Sequence, residues 1–224
     1  YYLHARAIKH LSDMVCERLK GQSSAAGAMG LLVRRELDDG AVLYPTHIGL
    51  PKKRRDFFER RPHRMLSLFL DAQRFGVPIN ETAQQAVKDN LHLIDDGFRK
   101  SPRATRIFLD ILRGPAGIAA TLRTMHELDV LGAFIPEFGS LTCLVQYNRY
   151  HIYTADEHTL VALENLEKLA RATTVPDDLR HLKRAINEIP RKEILYLAVL
   201  MHDVGKSARD NDHSTTGACM ARRF

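Results

Sequence analysis

His202 and Asp203 stand side by side in "LMHDVGK", directly after the unbroken apolar and aromatic run Ile194–Met201. An ionisable pair at the end of a buried helix is costly unless something compensates the charge. A divalent cation would do so, because it accepts neutral imidazole and carboxylate together. Adjacent helical residues point about 100° apart, yet at a helix end both can converge on one ion. Helical spacing back to Ala198 and Leu195 puts His202 on the apolar face, so a packed core histidine is the competing explanation. Gly205 follows, permitting a sharp turn and letting a ligand approach the backbone. Lys206 would set a positive charge beside the ion, which suits a phosphate ester with one oxygen on the metal and another on the ammonium. A lysine favoured by the dipole at a helix C-terminus explains the same residue.

One ion needs more than two ligands. His158, in "YTADEHTL", is the best upstream candidate and sits at the start of a separate helix; an exposed first-turn histidine is the alternative. Its neighbours Asp156 and Thr159 read as capping residues and Glu157 as solvent-facing. Downstream, His213 beside Asp212 in "DNDHSTTGA" is close enough in the chain to fold back over the site. There it could hydrogen-bond a phosphate or donate a proton.

The elements that must position these groups are mostly helices. Apolar residues recur at helical spacing through most of the chain. Leu3, Ala7, Leu11, Met14 and Val15 form a first stripe, and "GQSSAAGAMG" reads as a flexible break after it. "LLVRRELDDGAVLY" is the one hairpin candidate, with its turn at Asp38-Asp39-Gly40. Met65, Leu66, Phe69 and Ala72 line a helix that Gly76 and Pro78 end. Asn80 caps the next, whose stripe is Ala83, Val87, Leu91 and Ile94. Two more follow: one through Ile107, Phe108, Ile111 and Leu112, and one through Ile118, Leu122, Met125 and Leu128 that stops near Gly132. The stretch from Phe134 to His158 is poor in helical repeats and rich in turn formers, so a domain boundary is expected near residue 145. Beyond it, Leu160, Leu163, Leu166 and Leu169 mark a helix, Asp177 to Ile186 another, and Pro190 the first turn of the helix leading to His202. The expected fold is all-α: a helical bundle with a small β-hairpin insertion over 1–145, then a helical domain over 146–224.

Composition narrows the class. Hydrophobic content of 45% over 224 residues suffices for a core without staples. No apolar run approaches the ~20 residues that cross a bilayer. Cys16, Cys143 and Cys219 are far apart with no CxxC, which argues for a reducing compartment and against a thiolate zinc site. The net charge is +6, and much of the excess lies in "PKKRRDFFERRPHR". Nucleic-acid binding is one reading of that run; a solvated basic face, or a patch for an acidic partner domain, is favoured over it. The chain starts and ends in helical-looking sequence without a start methionine or stop signal, so a fragment of something longer is expected.

The pattern "H…HDxGK…H" resembles the HD superfamily of metal-dependent phosphohydrolases. "YYLHARAIKHLS", "FLDILRGPAGIAATLRTMHELDVLGAFIPEFG", "RYHIYTADEHTL" and "LMHDVGKSARDNDHSTTGA" together resemble the bifunctional uridylyltransferase/uridylyl-removing enzymes. The resemblance implies a helical linker followed by the opening part of an HD domain. It implies removal of UMP from a uridylylated tyrosine of the PII signal protein, in a cytoplasmic nitrogen-regulatory enzyme. His158, His202 and Asp203 match the family's metal-ligand positions, for Mn²⁺ or Mg²⁺; Lys206 and His213 match positions near the substrate phosphate. The family's further aspartate has no counterpart up to Phe224. Neither the nucleotidyltransferase signature nor the ligand-binding ACT pattern of the family is found, so partners would include those domains of the same chain and the uridylylated PII protein, with no membrane; nucleic acid is the disfavoured partner. Two rivals remain: an HD phosphohydrolase acting on nucleotides, and a non-catalytic regulatory helical domain with a vestigial HD site.

Overall fold

The computed structural model describes residues 4, 5, 8, 12, 34–51, 56–145, 153–208 and 212–223. The Leu3–Val15 stripe, the "GQSSAAGAMG" break and the basic residues Lys52 to Arg55 lie outside them, apart from isolated positions of the first. The chain divides into two compact units, residues 1–104 and 105–224.

In the first unit the hairpin forms as expected. Strand β1 (Arg35–Glu36) pairs antiparallel with β2 (Val42–Leu43). Gly40 closes the turn in the left-handed region (φ 85°), and its N–H donates to the Leu37 carbonyl at 2.7 Å. A third strand, β3 (Ile48–Gly49), extends the sheet in the order β1-β2-β3. It is too short to show alternation in sequence. Its Ile48 is fully buried, donates its N–H to the Pro78 carbonyl and accepts from the Asn80 N–H.

Helix α1 (Arg64–Phe75) buries Met65, Leu66 and Phe69 and stops at Gly76, whose φ of 63° suits glycine. Asn80 then caps α2 (Glu81–Asp89) by accepting the Ala83 N–H at 2.9 Å. This helix ends before Leu91, contrary to the expected stripe. The Asn90 side chain donates back to the Ala86 carbonyl, and Leu91–Leu93 tightens to a 3-10 turn. Asp95 starts the short α3 (Asp96–Arg99) by accepting the Phe98 N–H.

The described part of the basic run is divided: Glu59, Arg60 and Arg61 are exposed, while Phe57, Phe58 and Arg64 turn inward. Phe57 and Phe58 are buried edge to face, and the Arg64 guanidinium lies 4.5 Å from the Phe57 ring while donating to the Phe57 carbonyl. Asp56 pairs with Arg60. These two rings are therefore core and not a stacking surface.

Helix α4 (Pro102–Leu112) leads into the second unit. There α5 (Ile118–Glu127), α6 (Val130–Phe134) and α7 (Pro136–Gly139) surround Phe108, Leu122, Met125, Phe134 and Phe138, each 1% exposed or less. The chain breaks at Asp129 (φ 61°), not at Gly132 as expected. Gly132 lies inside α6, where a Cβ would sit 3.0 Å from the Gly139 Cα, so the two short helices cross in backbone contact. Next come α8 (Ala155–Arg171), α9 (Arg180–Glu188), α10 (Lys192–Met201), a 3-10 turn at Val204–Ser207 and α11 (His213–Arg223). Pro190 precedes α10 instead of lying in its first turn. The all-α expectation holds, with three short strands in place of a simple hairpin. No helix among the described residues is long and apolar enough to cross a membrane.

Candidate metal centre

The end of α10 and the start of α8 bring the predicted ligands together. One donor atom from each of His158, His202 and Asp203 lies within 4.8 Å of the others. His202 Nε2 is 3.3 Å from Asp203 Oδ2, and His158 Nε2 is 4.0 Å from the same oxygen. The two imidazole centroids are 5.7 Å apart. His202 Nδ1 lies 2.6 Å from the Val199 carbonyl, which can only accept, so Nδ1 carries the proton. In the neutral ring Nε2 then offers its lone pair toward a carboxylate oxygen. Two acceptors facing each other are stable around a cation. Donors held about 2.1 Å from one ion stand at most ~4.2 Å apart; the 3.3 and 4.0 Å separations meet that bound. The chemistry of the set, two nitrogens and one oxygen, suits a divalent first-row ion.

Several expectations need correction. His202 does not enter the core: its ring turns back onto the end of its own helix, and its side chain is 39% exposed. Asp203 is the buried member, and Lys206 compensates it with an Nζ–Oδ2 contact of 2.7 Å. Lys206 is therefore bound to the cluster and is not simply a lysine at a helix end. The space at Gly205 is filled by backbone and not by a ligand. A Cβ there would meet the His213 carbonyl oxygen at 1.9 Å and the Gly217 nitrogen at 2.7 Å. Through this contact α11 packs on the 3-10 turn, with His213 exposed at its first position. His213 is not part of the three-residue cluster.

Asp156 and Thr159, beside His158, are built in and not capping, while Glu157 stays partly exposed as it pairs with a cation. Asp156 is 3% exposed; its Oδ2 lies 3.1 Å from His126 Nε2 and accepts the Cys143 N–H at 3.1 Å. Burial alone would raise this carboxyl, but hydrogen bonds from His126, the Thr154 hydroxyl and the Cys143 N–H outweigh it and hold the pKa at about 2. Thr159 is fully buried, its hydroxyl donating to the Ala155 carbonyl. Glu157 receives Arg123, which also reaches Glu164. Farther along α8, the Glu167 carboxylate accepts the N–H groups of Gly117, Ile118 and Ala119 at 2.6 to 3.2 Å. It closes the N-terminus of α5, where Gly117 itself has no capping side chain.

Residues 48–134 match the uridylyltransferase GlnD third domain, and residues 155–224 match the HD domain, which contains all three clustered residues. A bifunctional uridylyltransferase/uridylyl-removing enzyme of Azospirillum brasilense is 35% identical over the whole of this chain. The chain belongs to the family of bifunctional uridylyltransferase/uridylyl-removing enzymes. Enzymes of the same name from Ruegeria pomeroyi and Methylococcus capsulatus are 42% and 38% identical over 71% and 73% of it. The chain spans a quarter or less of these relatives' lengths: 24%, 17% and 19% respectively.

Sequence reasoning missed His126, Asp156 and Glu167 as joints. The signal was present. Asp156, Leu160, Leu163 and Glu167 repeat at helical spacing, so two carboxylates share the apolar face of α8. His126 follows Leu122 by one turn on α5 in the same way.

Proposed function

We propose that this segment carries the uridylyl-removing site of its enzyme: hydrolysis of the phosphodiester between UMP and a tyrosine of the PII signal protein. The convergence of His158, His202 and Asp203 within 4.8 Å carries the reading, joined to the HD-domain match and the names of the relatives. Those three residues would hold Mn²⁺ or Mg²⁺. When bound, such an ion polarises a phosphoryl group and lowers the pKa of water. The chain's own groups do the rest. Lys206, already within 2.7 Å of Asp203, orients a non-bridging phosphate oxygen by charge. His213, exposed at the start of α11 and packed by its backbone on Gly205, gives a proton to the departing tyrosine oxygen. Water ends on phosphorus, the P–O bond to tyrosine breaks, and UMP and the free tyrosine result. Residues 146–224 form the HD portion in this reading.

The test uses the full-length protein and uridylylated PII, with UMP release followed against time. EDTA should abolish release and added Mn²⁺ restore it, and His202→Ala should be inactive while remaining folded. Release that is indifferent to EDTA, or preserved in His202→Ala, overturns the proposal. Free nucleotides in parallel reactions distinguish a general nucleotide phosphohydrolase.

A further inference from the structure

Helices α5 and α8 run antiparallel and are strapped together at three levels. Glu167, late in α8, holds the first N–H groups of α5. Arg123, in the middle of α5, bridges Glu157 and Glu164. His126, at the end of α5, meets Asp156 in the first turn of α8 with both side chains buried. That turn is fixed further by the Ala155 N–H on the Leu144 carbonyl and the Cys143 N–H on Asp156, with Cys143 in the left-handed region at φ 57°. His158 comes two residues after Asp156, in the same turn. Its imidazole must reach the Asp203 oxygen from a different helix, and the rotation and register of α8 bear directly on that reach.

We infer that His126 is a positioning residue for the metal centre: by gripping Asp156 it fixes the first turn of α8 and so holds His158 against His202 and Asp203. The inference rests on the metal-site reading above. It also crosses a boundary between family domains. His126 belongs to the stretch matched by the third-domain family, and the helix it steadies belongs to the HD domain. Neither His126 nor Asp156 points a donor into the cluster, so their effect is on geometry and not on coordination. A partner that hydrogen-bonds a ligand directly is worth roughly 10–100-fold in metal affinity; His126 acts one step farther out, through Asp156 and the backbone of α8, so the lower end of that range applies.

The experiment measures Mn²⁺ dissociation constants by electron paramagnetic resonance on the full-length protein, with thermal melting alongside. His126→Phe keeps the packing against Phe138, whose ring lies 5.5 Å away edge to face, but removes the hydrogen bond. It should weaken Mn²⁺ binding about 10-fold, the lower end of the range for outer-shell partners. His126→Gln, which can place its amide nitrogen where Nε2 stands, should restore affinity to near wild type. Asp156→Ala, which removes the accepting oxygen, supplies a second loss variant should His126→Phe fail to fold. Ile111→Val, a core change away from the strap, should lower the melting temperature and leave Mn²⁺ affinity unchanged. If wild type binds Mn²⁺ and His202→Ala does not, while His126→Phe and Asp156→Ala keep the wild-type constant, the positioning role is overturned and the metal site stands. If wild type itself binds no Mn²⁺, both fall together.

Discussion

Asp203 Oδ2 carries most of the site's electrostatics. It accepts from Lys206 at 2.7 Å and faces two imidazole nitrogens at 3.3 and 4.0 Å. Asp203→Asn keeps the shape and removes the charge. It is expected to weaken Mn²⁺ binding beyond the ~10–100-fold that an outer-shell loss costs, and to stop UMP release. Titration calorimetry and the release assay check this together. Lys206 has two effects that pull apart. Its ammonium repels a dication placed on the same carboxylate, yet it attracts a substrate phosphate. Lys206→Met should therefore tighten Mn²⁺ binding and lower kcat. Weaker metal binding in that variant would show that Lys206 supports Asp203 and does not compete at it.

At the scale of elements, the site depends on joints that lie outside it. Glu167 is a carboxylate capping a helix other than its own, with three N–H groups on two oxygens. A hydrogen bond to a charged group is worth ~1.5–3 kcal/mol; the three here share one carboxylate that also answers the helix dipole, so their contributions do not add and the loss is that of one charged cap. Glu167→Ala is expected to cost about 2–3 kcal/mol. In a chain of this size that is a fall of roughly 4–12 °C in melting temperature, read by circular dichroism. Gly205 is the second joint. A methyl group there overlaps the His213 carbonyl, so Gly205→Ala must push α11 away from the 3-10 turn. Overpacking of this kind costs about 1–3 kcal/mol, and hydrogen exchange should quicken in α11 before it does in α8. The three cluster residues were legible because their types and spacing announce ligand chemistry. The joints were not, because a buried Glu on a leucine stripe reads as a gap in the pattern until its partner, fifty residues earlier for Gly117, is known.

The whole chain shows the same division between what pattern reveals and what contact adds. Helix ends marked by backbone chemistry were readable: the stop at Gly76 in the left-handed region and the start at Asn80, whose side chain accepts the Ala83 N–H. Stops decided by tertiary crossing were not, as at Asp129, where the chain turns so that Gly132 can meet Gly139. Charge hid in the same way. In the first unit Asp71, on α1, has its pKa pushed up to about 6, chiefly by burial; Asp39 and Asp38 add to the rise and Arg74 opposes it. A folded-state value above the usual 3.8 means that the native state holds the proton more tightly than the unfolded chain. Stability from this group is thus fully present below pH ~4, is lost as pH rises toward 6, and stays lost above it. The full shift would correspond to about 3 kcal/mol, and partial solvation reduces that to about 1–2 kcal/mol. Asp71→Asn removes the titration. It should stabilise the first unit by about 1–2 kcal/mol at pH 7.5 and by almost nothing at pH 4, as read by hydrogen exchange of α1 amides at both values. An equal gain at the two pH values would show that packing of the amide, and not relief of a buried charge, is the cause.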